Sequence, residues 1–67
     1  MINVSINGEI RPLNPGLNIT RLLDELSLAG KRVAVEMNGD IVPRSRHADT
    51  GIQPGDRIEV VIAVGGG

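Results

Sequence analysis

The sequence predicts an α+β domain: a mixed five-stranded sheet with a single helix on one of its faces. Three observations carry this. Two Asn-Gly pairs, Asn7-Gly8 and Asn38-Gly39, each separate two short segments that read as strands. Between them lies one stretch with apolar residues at helical spacing. The last strand-like run, from Arg57, becomes apolar on both sides toward its end, as a strand in the middle of a sheet does.

The elements follow in order. In INVSI, Ile2, Val4 and Ile6 point one way and Asn3 and Ser5 the other, the alternation of a half-buried strand. Asn7-Gly8 turns the chain because both residues tolerate positive φ. EIRPL returns; Pro12 has no N–H for a ladder, so this strand belongs at an edge. Asn18 caps a helix in which Ile19, Leu22, Leu23 and Leu26 form one apolar stripe. Gly30 is expected as the left-handed residue past the helix end, with Lys31 and Arg32 adding favourable charge there. RVAVEM alternates again, Asn38-Gly39 turns, and DIVPR is a short strand stopped by Pro43. RSRHADTGI reads as polar and irregular, and QPGD as a type II turn. RIEVVIAV is the last strand, with Ile58, Val60, Ile62 and Val64 on one side. A lone helix covers one face of one sheet. Placing the last strand centrally, parallel to the first, yields the strand order 2-1-5-3-4 of a β-grasp, the ubiquitin-like roll. The domain is expected over 1–64, with a flexible glycine tail over 65–67.

Composition excludes several functions. The chain has 67 residues and no cysteine, so neither a disulfide nor a thiolate zinc site supports it. Below ~70–80 residues a core must be economical, and here it is wholly aliphatic, since Phe, Trp and Tyr are absent. Without aromatic faces a single-stranded nucleic-acid platform lacks its stacking surface, and a net charge of −1 provides no basic field for phosphates. MINVSING lacks the basic region and apolar core of a signal peptide, and no apolar run approaches the ~20 residues that span a bilayer. A cytoplasmic protein, monomeric when free, is expected, with no nucleic-acid or membrane partner and no metal or bound cofactor.

The body offers little chemistry. His47 is the one imidazole and is expected as a solvated loop residue. Asp24 and Glu25 are adjacent and so do not share a helix face. The NGD and PGD stretches are turn chemistry, without the glycine spacing and lysine of a phosphate loop. No catalytic residue is expected. On the last strand, Val61 and Ala63 fall on the face away from the helix, where an apolar patch would dock a partner. The chemistry then concentrates in Gly65, Gly66 and Gly67. Glycine lacks Cβ and threads a narrow slot, and the Gly67 carboxylate becomes an electrophile once joined to a nucleotide as a mixed anhydride. The residues read either as a frayed end or as a carrier whose terminal group another enzyme activates.

With AVEMNGDIVPR, GIQPGDRIEVV and the closing VGGG, essentially the whole chain resembles the ThiS family, the sulfur carriers of thiamine biosynthesis. Family members often carry an aromatic residue shortly after the VPR segment, where this chain has His47. The resemblance implies that a ThiF-type adenylyltransferase binds the sheet face and adenylates Gly67, using ATP and magnesium. A persulfide sulfur donor then displaces AMP to leave a thiocarboxylate on Gly67. Its sulfur passes to a ThiG-type thiazole synthase, with Gly65 and Gly66 carrying the tail into both partners. The chain is therefore a co-substrate and not itself an enzyme. Fold alone leaves a pure interaction module with an irrelevant tail as one alternative, and two others give the tail a role. One is the small subunit of molybdopterin synthase, which the short chain and missing aromatics disfavour. The other is a protein modifier of the ubiquitin type, for which Lys31 would be the one lysine for chain formation.

Overall fold

The computed structural model describes residues 1–63, so Val64, the glycines Gly65, Gly66 and Gly67, and the expected boundary between body and tail lie outside the described residues. The elements are β1 (Ile2–Ile6), β2 (Glu9–Leu13), α1 (Ile19–Glu25), β3 (Val33–Met37), β4 (Asp40–Val42), a 3-10 helix (Arg44–Asp49) and β5 (Arg57–Ile62). The sheet order is β2-β1-β5-β3-β4, with β1 and β5 parallel and the other neighbours antiparallel. This is the β-grasp topology read from the sequence.

Both Asn-Gly pairs make the tight turns that join their strands. Asn7 and Gly8 have φ of 52° and 84°, Asn38 and Gly39 of 53° and 90°, the doubly left-handed pattern that matches strand twist. Each turn sets its register, with Ile6 opposite Glu9 and Met37 opposite Asp40. Hydrogen-bonded and non-hydrogen-bonded pairs alternate from there. Counting back from Ile6, the Asn3–Pro12 pair is a non-hydrogen-bonded one. The nitrogen of Pro12 therefore faces the open edge of the sheet, and its missing N–H breaks nothing.

Helix α1 starts as expected. The Asn18 side-chain oxygen accepts from the Arg21 N–H at 2.8 Å, and its Nδ2 donates to the Ala48 carbonyl at 3.2 Å. Ile19, Leu22 and Leu23 are buried and Leu26 packs against the core. The end of the helix differs from expectation. The left-handed residue that closes it is Ser27, with φ of 61°, not Gly30. The Leu28 N–H bonds the Leu23 carbonyl at 2.8 Å and the Ser27 N–H bonds the Asp24 carbonyl at 3.0 Å, the paired bonds of a Schellman motif. The reason lies in Leu28. At about 100° per residue, continued helix would turn Leu28 roughly 180° away from the stripe and into water. Ending the helix at Ser27 brings Leu28 back against the core. Gly30, with φ of 79°, serves a later turn, and Lys31 and Arg32 consequently lie outside the last helical turn. They do not act on its dipole.

The core is a single aliphatic layer between α1 and one sheet face. Val4, Ile19, Leu22, Val35 and Ile58 are its most completely buried members. Ile52 joins them from the loop before β5, tied by its N–H to the Leu17 carbonyl at 3.0 Å.

Candidate functional site at the end of the central strand

Ala63 is the last described residue before Val64 and the three glycines expected to carry function, so what fixes β5 fixes where the chain enters that stretch. β5 is held from both sides by asparagines of the two turns. On the β1 side the ladder pairs Ser5 with Arg57 and Ile6 with Ile58, and the Asn7 N–H reaches the Ile58 carbonyl at 2.9 Å. There the chain turns away, and the Asn7 side chain continues the ladder in place of backbone. Its Oδ1 accepts from the Val60 N–H at 2.8 Å and its Nδ2 donates to the Val60 carbonyl at 3.2 Å. On the β3 side Asn38 does related work at the start of the strand. Its Oδ1 accepts from the Arg57 N–H at 2.9 Å, and its Nδ2 donates to Asp56 Oδ1 at 3.0 Å. Asp56 Oδ2 accepts in turn from the Gln53 N–H at 2.8 Å, bracing the Gln53–Asp56 turn. Sequence reasoning assigned both asparagines to turns alone; an amide side chain placed where a neighbouring strand stops is the signal it missed.

Beyond Val60 the pairing is one-sided. β3 continues alongside, with Ala34 opposite Val61 and Val33 opposite Ile62, and the Ala63 N–H bonds the Arg32 carbonyl at 2.9 Å. Among the described residues no strand accompanies Ile62 on the β1 side. The expectation that this apolar stretch is paired along both edges thus holds only as far as Val60. β1 is too short to go further. Val61 is 61% exposed, and Ala63 and Ala34 are exposed beside it. Register places Ile10 and Ile41, both exposed, on the same open face. Glu36 and Glu59 stand directly opposite each other there. Like charges so placed oppose strand pairing, so this face is not arranged for stability alone.

His47 corrects another expectation. It is the one buried polar residue among those described, 6% exposed, not a solvated loop residue. The segment read as irregular is a 3-10 helix packed on α1. Pro43 stops β4 and its carbonyl receives the Arg46 N–H at 2.8 Å, while Thr50 Oγ1 donates to the Arg46 carbonyl at 2.7 Å. At three residues per turn, Arg44 and His47 share a face. His47 Nε2 lies 3.0 Å from the Val42 carbonyl, and because a carbonyl only accepts, Nε2 is the donor. The ring packs as an aromatic and ties the helix to β4. Among the described residues no cluster of His, Cys, Asp and Glu would hold a metal, and no helix is long and apolar enough to cross a membrane. Val61 and Ala63 lie together at the end of β5; Gly65, Gly66 and Gly67 fall outside the described residues.

Fold and site together define a β-grasp body whose central strand, latched by Asn7 and Asn38, leads to a terminal glycine run. Residues 4–67 match the model of the ThiS family, and the chain belongs to that family of small sulfur carrier proteins of thiamine biosynthesis. The crystal structure of the thiamine biosynthesis protein ThiS from Geobacter metallireducens superposes with a TM-score of 0.83 at 33% identity, over 98% of this chain and 100% of that one. A thiazole synthase of Paramagnetospirillum magneticum is 42% identical over 92% of this chain, which spans only 19% of that relative's length. A protein of Porphyra purpurea, ycf40, is 33% identical over 98% of this chain and 93% of its own.

Proposed function

We propose that the chain carries sulfur as a thiocarboxylate on Gly67 and delivers it for thiazole formation. The observation that carries this reading is the family match, which runs through Gly67 and so includes all three terminal glycines. A ThiF-type adenylyltransferase joins the Gly67 carboxylate to AMP from magnesium-bound ATP, releasing pyrophosphate. The terminal sulfur of a persulfide donor attacks the acyl carbon, and AMP leaves. A thiol then reduces the resulting acyl disulfide, freeing the thiocarboxylate. Lacking cysteine, the chain has no thiol of its own on which to hold a persulfide. Gly65 and Gly66 give the acyl group an unhindered approach, and Val61 and Ala63 supply part of the docking face.

The thiazole synthase is the receiving partner. Supporting this, the relative of that name contains a stretch 42% identical to this chain within a much longer polypeptide, an arrangement that keeps carrier and acceptor together. The chain works in the cytoplasm as a co-substrate and binds no cofactor itself. Incubation with the adenylating enzyme, magnesium-ATP, a persulfide donor and a reducing thiol, followed by intact-mass measurement, is expected to show one oxygen replaced by sulfur at Gly67. Deletion of Gly67 should abolish that change while leaving the amide spectrum of the body intact. An unchanged mass in the full chain would refute the carrier reading.

A further inference from the structure

A pocket of about 430 Å3 opens where β5 ends, between the turn after α1, the start of β3 and the 3-10 helix. Its floor is apolar, made by Leu23, Leu28, Val33 and Ala63. Its rim is cationic: Lys31, Arg32 and Arg44 line it, and among the described residues no Asp or Glu does. The chain as a whole carries a net charge of −1 and only seven basic residues, so three of them at one pocket mark a local reversal of sign. Among the described residues the one ion pair joins Arg11 to Glu9, leaving all three rim cations unengaged there.

The pocket also borders an open strand edge. β4 accompanies β3 only as far as the Val35–Val42 pair, and Pro43 then turns the chain away. Counting from the Asn38-Gly39 turn, Val35–Val42 is a hydrogen-bonded pair, so Val33 presents its N–H and C=O to the same side, with no strand opposite among the described residues. An apolar floor, a basic rim and a free edge suit an extended segment that adds along β3, seats an apolar side chain and sets carboxylates against the cations. A small anion would leave the floor and edge unused.

We propose that this pocket docks an extended acidic segment, with an apolar anchor, of the adenylating enzyme that takes up the tail. Naming that protein as the tail's recipient rests on the carrier reading; the chemistry of the segment does not. Ala63 lines the pocket and immediately precedes residues 64–67, so a protein that takes up the tail meets the rim cations as it does so.

The probe is a capped peptide alternating Glu and Leu, titrated at millimolar concentration into the 15N-labelled full chain. Saturable amide shifts are expected over residues 28–34, at Arg44 and His47, and at Ala63. The double variant Lys31→Glu, Arg44→Glu should weaken them by about tenfold with unaltered thermal melting, since both side chains are exposed. Shifts elsewhere, shifts unaltered in the variant, or equal shifts with free glutamate would overturn the proposal, the last reducing the pocket to an anion site. A second arm measures half-saturation for the adenylating enzyme in the mass assay, where the variant should need about tenfold more enzyme. Equal half-saturation with a modified wild type would overturn the pocket and spare the carrier reading. An unmodified wild type would sink the carrier reading, and the peptide titration would still decide the pocket.

Discussion

The two halves of β5 share a strand and differ in almost everything else. From Arg57 to Val60 the strand is paired on both edges, and Ile58 and Val60 are buried under α1. From Val61 to Ala63 only β3 accompanies it, and Val61 and Ile62 are 61% and 48% exposed. The change falls at the point where Asn7 lends its side chain as the last rung. A carrier gains from this division. The inner half anchors the strand in the core, while the outer half leaves apolar surface and one backbone edge exposed.

Three substitutions probe the comparison. The largest effect is expected from Ile58→Ala, which empties the centre of the core. With Ile58 1% exposed, it should cost about 2–5 kcal/mol, read as a fall in the denaturant midpoint. In a domain this small that threatens folding outright, and a cost below about 1 kcal/mol would show that the inner half is not the anchor. Next comes Asn7→Gly, which keeps the left-handed turn but removes both side-chain bonds to Val60. About 1–3 kcal/mol should be lost, and hydrogen exchange at the Val60 amide should accelerate more than at Ile58. Equal acceleration at the two amides would remove Asn7 as the dividing point. The smallest stability effect is expected from Val61→Asp, under about 1 kcal/mol, together with weaker binding to the adenylating enzyme. Unfolding would show the outer half to be core after all.

Much of this was legible in the sequence because its signals are local. Two Asn-Gly pairs, a four-residue apolar stripe and alternating strands each state a conformation within a few residues. Their order then restricts the sheet to few topologies. The misses were of another kind. Gly30 is a better left-handed residue than Ser27 by propensity, but burial of Leu28 decided where α1 stops. RSRHAD looks solvated by composition, yet packing on α1 buries His47 within it. Lys31 and Arg32, expected at the helix end, stand apart from Arg44 in sequence until β3, β5 and the 3-10 helix bring all three to one pocket rim.

The sequence by itself determined the five strands, the helix α1, the two Asn-Gly turns and the edge position of the Pro12 strand, since all of these follow from backbone preference and side-chain period, and its closing glycines made Gly67 a candidate. Only the tertiary structure decided that Asn7 completes a ladder 53 residues away, that β5 is paired on both edges in one half and on one edge in the other, and that three cations gather at a pocket beside Ala63. Those facts depend on where one strand ends beside another, which is set by packing across the whole sheet.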